Sequence, residues 1–70
     1  MTTEEKLRLI EEVLKLKPGA LAEDTKLRGV KAWDSLTILS LQIRLTAIRA
    51  DLQFNDLFAC ETAGEICGLF

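Results

Sequence analysis

The chain contains no histidine, so it has no imidazole to activate a serine or cysteine nucleophile and none to move a proton near neutral pH. An autonomous hydrolase is therefore not expected. Cysteine is limited to Cys60 and Cys67 near the C-terminal end, with no disulfide framework around them. With histidine missing, two thiols give too few ligands for an intramolecular zinc site, and the carboxylates show no metal-loop spacing. The sequence reading expects reduced thiols and no metal. There is no excess of positive charge either: the formal net charge is -2, whereas a nucleic-acid binder is expected to carry a basic stripe. No apolar run approaches the ~18 to 20 residues that cross a bilayer, and the first residues lack the basic segment and small-residue cleavage site of a secretion signal. No membrane span and a cytoplasmic location are the expectations. Repeats, linkers and low-complexity segments are also missing.

What is present is an ordinary globular composition. Of 70 residues, 49% are hydrophobic and 29% charged, too apolar for disorder and enough for one small domain covering residues 1–70. Such a chain lies near the lower size limit for folding without disulfides or metal. Met1 with a capped helix directly behind it favours a freestanding protein over a piece of a larger one.

Taken in order, Thr2 and Glu5 form a capping-box spacing ahead of a first helix from Thr3 to about Lys17. Leu7, Leu9, Ile10, Val13, Leu14 and Leu16 cover its apolar side, and Glu4, Glu5, Arg8, Glu11, Glu12 and Lys15 the polar one. Pro18-Gly19 is expected to stop it. From Pro18 to Trp33 periodicity disappears. The segment reads as a long loop, either a plain crossover between two helices or a functional segment pinned across the core with Leu27 as the anchor.

A second helix is expected from Ser35 to about Ala50 or Leu52. Asp34 is its N-cap, and Trp33 stands just outside, where its ring can staple onto Ile38. Ile38, Leu41, Leu45, Ile48 and Leu52 make one apolar stripe; Leu36, Leu39, Ile43, Ala47 and Ala50 make a second on the opposite side. Periodicity alone favours a central helix buried on both sides by the first and last helices. The other reading leaves the second stripe open to a partner, beginning beside Ser35. Beyond it, Asn55-Asp56 is expected to cap a short third helix carrying Leu57 and Phe58, with Phe54 inward. Thr62 and Glu65 repeat the capping-box spacing ahead of a short fourth helix bearing Ala63, Ile66, Cys67 and Phe70, weakened by Gly64 and Gly68. Helices three and four are expected to exchange amide protons faster than the first two.

The serine at the helix start is the chemically informative position. Its hydroxyl would sit at the positive end of a helix dipole, among backbone N–H groups lacking intrahelical partners, where a phosphate is stabilised. Asp34-Ser35-Leu36, the long preceding loop with Leu27, and Thr62-Ala63-Gly64-Glu65-Ile66 together resemble the acyl and peptidyl carrier proteins across essentially the whole chain. That resemblance implies an all-α, small four-helix bundle of the acyl-carrier type, with three longer helices, one short one, and a long loop between the first two. It implies a monomer, and a carrier rather than an enzyme. Ser35 would bear a covalent 4'-phosphopantetheine, added by a phosphopantetheinyl transferase, with Asp34 and Leu36 flanking the attachment. The arm would hold acyl or aminoacyl groups as thioesters for partners such as a ketosynthase, acyltransferase or adenylating ligase of fatty-acid, polyketide or related biosynthesis.

By the same resemblance, Leu36, Leu39 and Ile43 match apolar docking positions, and Leu41 and Leu45 match core positions. One departure stands out. Fatty-acid carriers usually have several acids along the second helix, whereas this chain has Arg44 and Arg49 and no acid between Ser35 and Asp51. Either arginine alone reads as a side chain snorkelling from the edge of the core-facing side into water; together they are expected to act in partner docking, to disfavour basic partners and to suit a partner whose docking surface is apolar or acidic. The alternative function is an unmodified helical protein-interaction domain with a carrier-like fold. A helix-turn-helix DNA binder has little support beyond the two arginines.

Overall fold

A computed structural model describes all residues from Met1 to Phe70. Four α-helices carry the fold: α1 (Thr3–Leu14), α2 (Ser35–Thr46), α3 (Phe54–Phe58) and α4 (Ala63–Cys67), with a single 3-10 turn at Leu27–Gly29. There are no strands, only an isolated bridge between Lys26 and Thr62. The chain is thus a small all-helical bundle, with two long helices and two one-turn helices rather than three longer and one short. No helix is long and apolar enough to cross a membrane.

α1 starts as its sequence demands. Thr2 accepts from the Glu5 N–H, and the Glu5 carboxylate accepts from the Thr2 N–H. It ends three residues earlier than expected, at Leu14. Lys15 takes the left-handed conformation, φ 58°, and the Lys15 and Leu16 N–H groups donate back to Glu12 and Glu11 carbonyls at 3.1 and 2.8 Å. That is a Schellman ending, which satisfies orphan carbonyls and needs neither proline nor glycine beside it. Pro18-Gly19 instead builds a separate turn: the Ala20 N–H donates to Lys17 O at 3.0 Å, with Gly19 at φ 87°. Proline followed by a positive-φ glycine is the type II turn signature.

Glu11, assigned to the polar face by periodicity, is buried at 3% exposure. Its Oε2 accepts the Leu21 N–H at 2.8 Å, tying the start of the loop to α1. The loop reaches the core twice, through buried Leu21 and Leu27. Its far half is stitched to the segment before α4. Leu27 N–H donates to Glu61 O (2.8 Å), Ala63 N–H to Thr25 O (3.0 Å), and Gly64 N–H to Glu23 O (2.8 Å).

Ile10, Leu14, Leu21, Leu27, Ile38, Leu41, Leu45, Leu52, Leu57, Ala63, Ile66 and Cys67 form the core. α2 packs against α1 and α3, and α1 also packs on α4. α2 ends at Thr46 and not at Ala50 or Leu52. Leu52 is buried all the same, because the chain turns back after α2 and the Gln42 amide donates to the Leu52 carbonyl at 3.3 Å. That turn swings Ile48 out of the expected core stripe and into solvent.

Candidate functional site

The N-terminus of α2 is built by a reciprocal cap. Asp34 Oδ1 accepts the Thr37 N–H at 3.0 Å, while the Asp34 N–H donates to Thr37 Oγ1 at 3.1 Å. The Thr37 hydroxyl also contacts the Ala32 carbonyl, fixing the chain just before the cap. The Thr37 N–H bond, ahead of smaller contributions from the Thr37 hydroxyl and Leu36 N–H, holds the Asp34 carboxyl below the usual carboxylate range despite a desolvation that opposes it. An ionised carboxylate therefore faces the helix start, where the dipole favours it. Thr37 is the residue that sequence reasoning missed. Its spacing from Asp34, three residues on, was the available signal.

Ser35 is the first residue of α2 and is exposed. Because Asp34 caps Thr37, the serine is not consumed in capping its own helix, and its hydroxyl is open to solvent. Trp33 is half-buried against the core. Together with Leu27, Arg28, Phe58, Ala59, Cys60 and Glu61 it lines a shallow hollow of about 260 Å³. The tryptophan thus bridges the loop and α3, one residue before the cap.

The two stripes of α2 separate cleanly. Ile38, Leu41 and Leu45 are buried. Leu36, Leu39 and Ile43 are 75%, 46% and 65% exposed, and Ala47 and Ala50 also face solvent. The helix is therefore not buried on both sides, as periodicity alone favoured: α3 and α4 are too short to cover the second stripe. Phe58 is a further exposed apolar residue, stacked on Phe54 with ring centroids 5.8 Å apart. α3 starts at least two residues earlier than an Asn55-Asp56 cap would place it: Gln53 holds the N-cap position, and Asp56 lies inside the first turn, accepting the Gln53 N–H at 2.8 Å.

Arg44 and Arg49 both lie exposed, and both are engaged within the chain. Arg44 meets Glu12 of α1 at 3.6 Å. Arg49 meets Asp51 at 3.1 Å and donates to the Leu69 carbonyl at 2.8 Å. The cysteines are free. Burial first, then Glu65 and Asp56, pushes the Cys60 thiol up to about 11. Burial likewise raises Cys67, against the opposing Lys6 charge. Both are protonated thiols near neutral pH and poor nucleophiles. No group of three or more Cys, Asp or Glu side chains is disposed to hold a metal ion.

No protein-family model matches the chain, and no curated protein or solved structure matches it.

Proposed function

We propose that this chain is a carrier protein of the acyl or peptidyl type, modified at Ser35 with 4'-phosphopantetheine. The observation that carries this reading is an exposed serine at the first position of a well-capped helix, beside an exposed leucine-isoleucine strip on the same helix. The attachment chemistry needs little more. A phosphopantetheinyl transferase supplies the base that takes the serine proton; Ser35 Oγ forms the new P–O bond, and adenosine 3',5'-bisphosphate leaves from coenzyme A. Residues here suit the group: Ser35 is exposed, and a phosphodiester at the start of α2 is favoured by the positive end of the helix dipole, although Asp34 already takes the Thr37 N–H. When bound, the arm supplies a thiol that carries acyl or aminoacyl groups as thioesters.

The protein's own part is to present, not to react. Asp34 and Thr37 fix the helix start, Trp33 and Leu27 fix the loop leading to it, and Leu36, Leu39 and Ile43 offer an apolar surface to the enzymes that load and process the cargo. The same reading includes a monomer in the cytoplasm. Mass spectrometry after incubation with coenzyme A and a broad-specificity phosphopantetheinyl transferase tests it. One phosphopantetheine should be gained, and none by Ser35→Ala. An unmodified wild-type chain would leave the second reading, a helical interaction domain that uses the same exposed strip of α2.

A further inference from the structure

The net charge of -2 hides a division along the chain. Residues 26–49 carry five Lys or Arg against one acid, Asp34, and the remaining residues carry four against ten. The positive segment includes the approach to Ser35 and the whole exposed strip of α2. Within it the cations are not equivalent. Arg44 and Arg49 have acidic partners inside the chain. Lys26, Arg28 and Lys31 are exposed and take part in none of the three ion pairs. Glu61, which shares a surface hollow with Lys26 and Arg28, pairs with neither. The unpaired positive charge of this segment thus comes from the loop that leads to Ser35 and not from the helix arginines, and Arg28 shares a surface hollow with Trp33, two residues before the serine.

The loop presents these side chains on a fixed backbone. The 3-10 turn closes through Gly29 N–H to Lys26 O (3.1 Å) and Val30 N–H to Leu27 O (2.9 Å), and a further turn through Trp33 N–H to Val30 O (3.0 Å) carries Lys31 up to the cap. Buried Leu27 anchors the whole segment. Preorganised charges lose less freedom on docking than charges on a mobile tail. On the other side of Ser35 lie Leu36, Leu39 and Ile43, aliphatic and exposed. An apolar centre with a charged margin is the anatomy of a protein interface. Single-stranded nucleic acid would call for a row of stacking aromatics, and the exposed strip of α2 is aliphatic.

We propose that the Ser35 face docks acidic protein partners, whose carboxylates meet Lys26, Arg28 and Lys31 while an apolar patch covers Leu36, Leu39 and Ile43. The inference rests on the carrier role for its meaning, since these partners would be the enzymes that serve the arm. Rim charges of one sign raise encounter rate with acidic surfaces and reject basic ones.

The test uses two synthetic helical peptides with the same leucine stripe, one flanked by glutamates and one by lysines. Each is titrated into the full chain at low salt and followed by amide chemical shifts. The glutamate peptide should bind more tightly and move the amides of Leu36, Leu39, Ile43 and the 26–31 segment. The triple reversal Lys26→Glu, Arg28→Glu, Lys31→Glu should weaken it by about tenfold, the combined effect of three rim pairs, and favour the lysine peptide. If the reversal does not fold, the milder Arg28→Gln, Lys31→Gln pair should still reduce the preference. Equal binding of both peptides, an unmoved preference in the variants, or displacement of the glutamate peptide by a mixed-sequence DNA duplex would overturn the proposal. The titration is repeated on Ser35→Ala. Docking is then read without the arm, and a failure of phosphopantetheine transfer stays distinct from a failure of docking.

Discussion

Asp34, an N-cap, and Glu5, three residues inside its helix, are the carboxylate members of the capping boxes that start the two long helices, and both leave a signature in acid. Each carboxylate accepts a backbone N–H three residues away, Thr37 for Asp34 and Thr2 for Glu5. Those bonds are the main cause that holds both carboxyls below their ordinary values. A group whose folded pKa is depressed adds stability above its unfolded pKa, and that contribution is lost as pH falls through the folded value. Stability should therefore be level near neutrality and decline as pH drops below about 4, the usual carboxylate range. Asp34→Asn with Glu5→Gln keeps a capping acceptor at both sites but removes the titration. Urea denaturation at a series of pH values should show a shallower acid limb in the double variant, with little change at neutral pH. An identical limb would mean that neither cap is linked to acid stability. For Ser35 the consequence is that its helix start is best formed where Asp34 is ionised, which includes the pH range in which transferases would meet it.

At the scale of elements, the sequence was most legible where local chemistry decides and least where the chain must close on itself. Thr2-Glu5, Asp34 and Thr62 all cap the helices that their spacing predicts, because a cap is settled within four residues. Leu27 as a core anchor was also readable, since a large aliphatic side chain in a loop of mixed composition is stabilised by burial, but Leu21, buried as well, was not singled out. Helix ends were not. Nothing local marks Lys15 for the left-handed region, and α2 stops where Leu52 can reach the core by a turn, which periodicity mistook for a continuing stripe. Glu11 escaped because a carboxylate buried by one backbone N–H looks, in sequence, like any surface glutamate. At the candidate site, the sequence pointed to Ser35, Asp34 and the strip of Leu36, Leu39 and Ile43; it missed Thr37, three residues from Asp34, and the internal partners of Arg44 and Arg49, of which Glu12 and Leu69 are distant in the chain and Asp51 is two residues away.

Gly64 gives the sharpest case. As a helix residue it looks merely weakening, yet a Cβ there would stand 2.7 Å from the Glu23 carbonyl oxygen, a backbone atom that cannot swing aside. Its N–H donates to that same oxygen. Gly68, by contrast, has its nearest neighbour at 3.4 Å and an ordinary right-handed backbone. Gly64→Ala should lose about 1 to 3 kcal/mol by overpacking the loop against α4. Gly68→Ala should be neutral or gain up to about 1 kcal/mol through the unfolded chain. Thermal denaturation of the two variants side by side checks this, and equal effects would mean that the close approach of loop and helix does not matter.

For the whole molecule, smallness makes the loop a structural member. At the usual 0.05–0.15 kcal/mol per residue, a chain of this length has a total stability of roughly 4 to 10 kcal/mol. Leu27 is one of the fully buried side chains of the core, and it comes from the loop and not from a helix. Leu27→Ala should cost about 2 to 5 kcal/mol, a large share of that total. Because the loop is bonded to the residues before and within α4, the loss should not stay local. Amides of Leu27, Ala63 and Gly64, whose bonds join the two segments, should exchange at rates close to those of mid-helix amides in α1 and α2, and all should speed up together in Leu27→Ala. This narrows the expectation that the short helices exchange faster than the long ones: it should hold for α3 and for the last residues, not for the stitched start of α4. Leu36→Ala is the counterpart at the surface. It removes an exposed side chain, so it should change stability by no more than about 0.5 kcal/mol while slowing transfer of phosphopantetheine to Ser35. Fast exchange throughout the loop in the wild-type chain, with the helices still protected, would show that the segment leading to Ser35 is not part of the cooperative core. The serine would then be presented from a mobile lead instead of a fixed one.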